Sequence, residues 1–129
     1  MIILTQLIFF AVNLSYNTKE LTEYQYNIRT IHQRLTRDLN RAIHKDDVFI
    51  NRLGQLEIQY QDGDSIKYYH NVNTRSIIRN SSHGIYPISE NITNFNYTIT
   101  PCKSYLEVEV VWNRKKEFAF ILKIPQREI

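Results

Sequence analysis

Neither glycine nor proline occurs before Gly54, so nothing local interrupts a long helix at the beginning of the chain. From Ser15 to Lys45, apolar residues recur at steps of three and four, which places them on one helical stripe. The stripe comprises Leu21, Tyr24, Ile28, Ile31, Leu35, Leu39 and Ala42. Because such a stripe packs against another apolar surface, the pattern predicts a helix over 15–45 that forms part of a core.

Residues 1–14 form an almost wholly apolar run that carries no charge. Its candidate membrane or assembly residues are Ile2, Ile3, Leu4, Leu7, Ile8, Phe9, Phe10, Val12 and Leu14. The run is shorter than the roughly 20 residues that span a bilayer. It also lacks the basic region and small-residue cleavage site of a secretory signal.

Three interpretations of this run remain. It is the apolar start of a buried helix, a membrane segment that tilts or is completed by other subunits, or part of a longer membrane helix whose upstream leader is missing. We expect a membrane role, and we assign residues 1–14 to a truncated anchor segment ahead of a domain over 15–129.

The periodicity changes after Asp47, where alternation of apolar and polar residues replaces the helical spacing. The alternation predicts about six antiparallel strands within residues 48–124, with hairpin turns such as Asp62-Gly63. Residues 80–90 contain Pro87 and are predicted to be irregular. The predicted fold is therefore α+β, with a long helix packed on an antiparallel sheet.

The net charge is +3, which is too small an excess to indicate nucleic-acid binding by itself. Two basic groups nevertheless form a possible contact surface, because Lys and Arg neutralise phosphates. They are a helix stripe of Arg34, Arg37, Arg41 and Lys45, and a hairpin tip of Arg114, Lys115 and Lys116. The ordinary role of such residues is to keep a helix face and a turn in solvent.

Motifs that carry catalysis or bind cofactors do not occur in the sequence. The three glycines are widely separated, so there is no phosphate-binding loop, and the four histidines have no metal-ligand spacing. Cys102 is the single cysteine and has no partner within the chain. We therefore expect a protein that is not an enzyme and that uses no cofactor, metal or small-molecule substrate.

Several local stretches resemble one family of assembly proteins. They are Leu35-Thr36-Arg37-Asp38-Leu39, Ile66-Lys67-Tyr68-Tyr69, Ile77-Ile78-Arg79-Asn80, His83-Gly84 and Asn91-Ile92-Thr93-Asn94-Phe95. Together with the order of elements, they resemble the ComGF family of competence minor pseudopilins from Gram-positive bacteria, within the type IV pilin and type II secretion pseudopilin superfamily.

The resemblance implies a pilin-like α+β fold and a structural role in a competence pilus. A subunit of this kind helps to prime or cap pilus assembly for DNA uptake during transformation. The implied partners are other pilin-like subunits and the membrane, with DNA contacted indirectly or weakly. The implied location is the cell membrane, crossed once with the C-terminal domain outside, and the cell-surface pilus. The alternative hypothesis is a small membrane-associated nucleic-acid-binding module that uses the basic helix face.

Overall fold

The structure is a computed structural model that describes residues 2–126, and the side chains of residues 18–126. It consists of one long helix, α1, over Ile2–Asn40, followed by antiparallel strands, so the predicted α+β class is confirmed. The candidate anchor segment, residues 1–14, lies outside the described side chains.

The apolar stripe of α1 packs into the core over its C-terminal half. Ile31 and Leu35 are fully buried and Ile28 is 7% exposed. Leu21, the first residue of the predicted stripe, is instead 43% exposed. The stripe is therefore covered from Ile28 onward and open at Leu21.

The helix ends at Asn40, so the predicted end at Lys45 is wrong. In a continuing helix the Ala42 amide would bond to the Asp38 carbonyl, four residues back. That carbonyl instead accepts a hydrogen bond from the Tyr60 hydroxyl at 2.8 Å, and the Ala42 amide turns to the Leu39 carbonyl at 3.0 Å. A short 3₁₀ turn, Lys45–Asp47, then leads into the first strand.

The strands form two antiparallel sheets rather than the single sheet that the sequence predicts. The first sheet is a meander of β1 (Val48–Ile50), β2 (Leu56–Gln59), β3 (Ser65–Asn71), β4 (Ser76–Ser81) and β5 (Gly84–Ser89). The second contains β6 (Ile92–Ile99), β7 (Tyr105–Trp112) and β8 (Lys116–Lys123).

Strand β5 lies inside the stretch that was predicted to be irregular. Pro87 cannot donate a backbone hydrogen bond, which is why it argues against a strand in the sequence. In the fold, β5 pairs only with β4 and is an edge of its sheet, where proline is tolerated. The prediction was wrong because the edge position depends on the topology.

The two sheets meet where β6 follows β5. Asn91 adopts a positive φ of 59° between these strands, so the chain turns out of the first sheet before β6 begins. The Ile92 amide then donates to the Arg75 carbonyl at 2.8 Å, and a ring nitrogen of His70 hydrogen-bonds the Ile92 carbonyl at 2.7 Å. Both sheets contribute buried residues to one core with α1.

Candidate functional site

Asp38 is the most unusual residue of α1, because it is an acidic side chain that is fully buried. It follows Leu35 by three residues and precedes Ala42 by four, which places it on the apolar stripe. It also lies near the C-terminal end of the helix, where the helix dipole disfavours a negative charge. A carboxylate in this position needs strong partners.

Arg79 on β4 provides the main partner. Its Nε donates to Asp38 Oδ2 at 2.8 Å and its Nη2 donates to Asp38 Oδ1 at 3.0 Å. This is a bidentate arrangement, in which the planar guanidinium forms two parallel hydrogen bonds with one carboxylate. The Tyr68 hydroxyl, from β3, donates to Asp38 Oδ2 as well. We call Asp38, Arg79 and Tyr68, together with Tyr60 and Tyr86, the buried polar cluster.

The outer members of the buried polar cluster complete its hydrogen bonding. Arg79 Nη1 donates to the Tyr86 hydroxyl at 2.8 Å, and Tyr60 bonds the Asp38 carbonyl. Burial, with the charge of Asp38 as the second cause, raises the pKa of the Tyr60 and Tyr68 hydroxyls far above the usual range. The hydrogen bond to Asp38 raises the pKa of Arg79 further. Arg79 therefore stays charged, and both tyrosines stay neutral, at physiological pH.

The ion pair at the centre of the buried polar cluster is closed to solvent, because Asp38 is 0% and Arg79 6% exposed. A dissolved molecule cannot reach it in this conformation. The effect of the buried polar cluster is instead to fix the C-terminal half of α1 against β3 and β4. None of these residues was predicted from the sequence to be part of a site, although the spacing of Asp38 from Leu35 and Ala42 was an available signal.

The N-terminal part of the described helix is held by weaker contacts at the surface. The ammonium nitrogen of Lys115 lies 3.5 Å from Oε1 of Glu20, and the Asn113 side-chain amide donates a hydrogen bond to the same oxygen at 3.4 Å. The ring of Tyr24 packs on Trp112 with a centroid separation of 5.6 Å. This half of α1 therefore packs against the turn between β7 and β8.

A groove of about 700 Å³ lies between this half of α1 and the end of β5. Its walls include Glu23 and Tyr26 from the helix, and Pro87 and Glu90 from the other side. Tyr26 is 69% exposed. The Glu90 amide donates to the Asn27 side chain at 3.0 Å and links the two walls of the groove. The groove therefore combines an exposed ring with two carboxylates.

The structure does not bring the two predicted basic groups together. Lys115 contacts Glu20, whereas Arg34 begins the helix stripe about 20 Å further along α1. Arg37 is exposed, and the Arg41 guanidinium lies 4.1 Å from the centre of the Tyr60 ring. Lys45 lies beyond the end of the helix, in the 3₁₀ turn, so the stripe has three members on or beside α1.

The other two basic residues of the hairpin tip, Lys116 and Arg114, contact different elements. Lys116 Nζ lies 5.0 Å from the centre of the Tyr24 ring, a cation–π geometry. Asn113 and Arg114 both adopt positive φ, and the Arg114 amide donates to Thr93 at 2.8 Å. Lys115 and Lys116 therefore contact α1, whereas Arg114 is bonded to β6.

Two further properties of the described residues bear on function. Among residues 18–126, no group of three or more His, Cys, Asp and Glu side chains is placed to hold a metal ion. Within the described chain, no helix combines the length and the apolar character that crossing a bilayer demands. Comparisons with known protein families, with curated proteins and with solved structures found no match to this chain.

Proposed function

We propose that this chain is a structural subunit of a pilin-like assembly, acting as a minor pseudopilin of a competence pilus. The observation that carries the proposal is the change of exposure along one helix stripe. Ile31 and Leu35 are fully buried under the sheets, whereas Leu21 on the same stripe is 43% exposed. The part of an apolar stripe that the sheets of its own chain leave uncovered is available to pack against another subunit.

The firm attachment of the helix supports the same role. A subunit that assembles through its helix needs that helix fixed to its globular part. Asp38 and Arg79 provide this fixation at the C-terminal half of α1, through a buried ion pair. The ComGF-like stretches of the sequence include both residues, in Leu35–Leu39 and Ile77–Asn80.

In this proposal, the apolar residues 1–14 form the membrane anchor, and the domain over 15–129 stands outside the membrane. When the subunit joins the pilus, the apolar surface of its helix leaves the lipid and is buried against the helices of other pilin-like subunits. Contact with DNA is indirect, through the pilus as a whole. The separation of the two basic groups along α1 gives no support to a single nucleic-acid-binding surface.

The proposal is tested by comparing the full chain with a variant that lacks residues 1–14. Partition is measured by flotation with vesicles of phosphatidylethanolamine and phosphatidylglycerol, and partners by pull-down of co-expressed pilin-like subunits. We expect both readouts to fall in the deletion variant. A matched variant, Leu21→Asp, should retain vesicle binding and lose only the pull-down. Unchanged partition and pull-down in the deletion variant would refute the proposal.

A DNA-binding experiment distinguishes the proposed structural subunit from the alternative, a nucleic-acid-binding module. Binding of double-stranded DNA to the full chain is measured from low to high salt, because phosphate contacts give a steep salt dependence. We expect weak binding with little change when Arg34 and Arg37 are replaced by Gln. A steep salt dependence that these substitutions abolish would favour the nucleic-acid-binding module instead.

A further inference from the structure

Strand β8 has one free edge, and its centre has none of the features that usually protect an edge strand. It pairs with β7 on one side only, and no strand of the described chain pairs with its other side. Residues 118–122, Phe-Ala-Phe-Ile-Leu, contain no charge and no proline. Exposed edges are normally kept short, charged or interrupted, because unpaired backbone groups recruit other strands.

The edge strands of the five-stranded sheet are protected. Strand β1 has only three residues, and β5 contains Pro87. In contrast, β8 has eight residues, among which Ile121 is 65% and Phe118 36% exposed. Strand β6, the other edge of the three-stranded sheet, is also eight residues long, but its backbone at Ile92 is bonded to Arg75 and His70 of the first sheet. Among the described residues, the edge of β8 combines this length with an apolar centre and has no such backbone contact.

The register shows which backbone groups point outward from this edge. The Ile124 amide donates to the Ser104 carbonyl across the β7–β8 pair at 2.8 Å. Antiparallel strands alternate between residues that bond their neighbour and residues that point away. Bonding toward β7 therefore falls on the even-numbered residues of β8. The outward set is Glu117, Ala119, Ile121 and Lys123.

We propose that two copies of this chain pair through β8, antiparallel and around a two-fold axis at Phe120, to form a continuous six-stranded sheet. In this register Glu117 lies opposite Lys123 of the second copy, and Ala119 lies opposite Ile121 of the second copy. Both residues of each pair belong to the outward set, so each pair exchanges two backbone hydrogen bonds. The symmetry repeats every pair, as a closed dimer requires.

Charge complementarity selects this register. Within the described residues, neither Glu117 nor Lys123 takes part in an ion pair. Two-fold pairing at Phe120 joins them into two opposite-charge pairs, at the two ends of the shared strands. A shift of two residues in either direction places Glu117 opposite Ile121 or Pro125 of the second copy, and both ion pairs are lost.

The inner face of β8 supports the pairing too. Phe118 would face Leu122 of the second copy, and the two Phe120 rings would meet at the axis. Phe120 is half-buried in the single chain, with its ring packed edge-on against His32 of α1 at 5.2 Å. The second strand would cover the exposed side of this ring. The inference does not depend on the proposed function.

Charge reversal tests the pairing in the full chain, in dodecyl maltoside, by sedimentation velocity. Glu117→Lys and Lys123→Glu each place like charges opposite one another twice, so each variant should dissociate at least about tenfold more readily than the natural chain. Mixed together, the two variants restore both opposite-charge pairs and should form heterodimers. The matched control, Glu109→Lys on β7, changes the net charge equally and should leave the dimer intact.

Site-directed disulfides give a second, independent readout, in a Cys102→Ser background. Phe120→Cys places two thiols at a non-hydrogen-bonded pair, about 4.5 Å apart between Cα atoms, which is within disulfide reach. Ile121→Cys places them diagonally, beyond that reach. Oxidation should therefore link the first variant and not the second. A monomeric natural chain, a mixture that forms no heterodimer, or equal linking at both positions would overturn the proposal.

Discussion

Replacing Asp38 by an apolar residue should lower the free energy of unfolding far more than replacing an acidic residue at the surface. Asp38→Ala leaves Arg79, which is 6% exposed, without its two charge-assisted hydrogen bonds. Breaking one side of a buried ion pair costs about 3–5 kcal/mol. The Tyr68 hydroxyl also loses its acceptor, while Tyr86 continues to bind Arg79. We therefore expect a loss of about 4 kcal/mol in the free energy of unfolding.

This loss is measurable by urea denaturation, followed by the fluorescence of Trp112, the single tryptophan, which is 1% exposed. With a slope near 2 kcal/mol per molar urea, the midpoint should fall by about 2 M. The control is Asp46→Ala, which removes an ion pair to Lys103 of the same 2.8 Å length at the surface. That variant should keep a urea midpoint close to that of the natural chain, because exposed ion pairs contribute little to stability.

A double variant separates the cost of leaving the Arg79 charge unpaired from the cost of losing the ion pair itself. Asp38→Leu combined with Arg79→Met leaves no unpaired charge, so it should be more stable than Asp38→Ala. If Asp38→Ala were as stable as Asp46→Ala, or if the double variant were the least stable of all, the buried polar cluster would not be what fixes α1. If Asp38→Ala does not fold at all, a folded double variant would still show that the double variant is the more stable of the two.

Three further predictions concern single side chains. Hydrogen bonds, first of all from Ser104, lower the pKa of the exposed Cys102 thiol to about 7, so iodoacetamide alkylation should reach half its maximal rate near pH 7; Ser104→Ala should move that midpoint upward, and an unchanged midpoint would contradict the assignment. Tyr68 has a folded-state pKa above its unfolded value of about 10, so stability should be lost as the pH rises above 10; urea midpoints should fall less steeply in Tyr68→Phe, and equal slopes would refute this. Leu35→Ala should cost about 2–5 kcal/mol and Leu21→Ala less than about 1, as checked by thermal and urea unfolding; similar losses would contradict the difference in burial.

Local patterns were sufficient to predict the α+β class and most of the strands. Apolar residues alternate with other residues in Leu106–Trp112, which is the period of a strand, whereas Ile28, Ile31 and Leu35 follow one another at steps of three and four, which is the period of a helix. Each period depends only on backbone geometry, which neighbouring residues determine. These elements were therefore accessible from the sequence, and the structure confirms them.

The features that the sequence did not predict all depend on contacts between distant residues. The helix ends early because Tyr60 binds the carbonyl of Asp38, twenty-two positions earlier in the chain. Strand β5 tolerates Pro87 because the topology places it at an edge. The ion pair of Asp38 with Arg79 spans forty-one positions. An acidic residue on an apolar stripe indicates that a partner exists, but nothing in the local pattern identifies it.

The placement of the ion pair also determines how the molecule responds to force. Asp38 lies in the last turn of α1, while the contacts of Glu20 lie at the surface near the other end of the described helix. Tension applied to the N-terminal end of α1, along its axis, would therefore load the contacts from Glu20 to Asp38 together, in shear. A pull directed away from the sheets would instead break them one after another, starting at Glu20. The domain should consequently be mechanically stiff along its helix and weak across it.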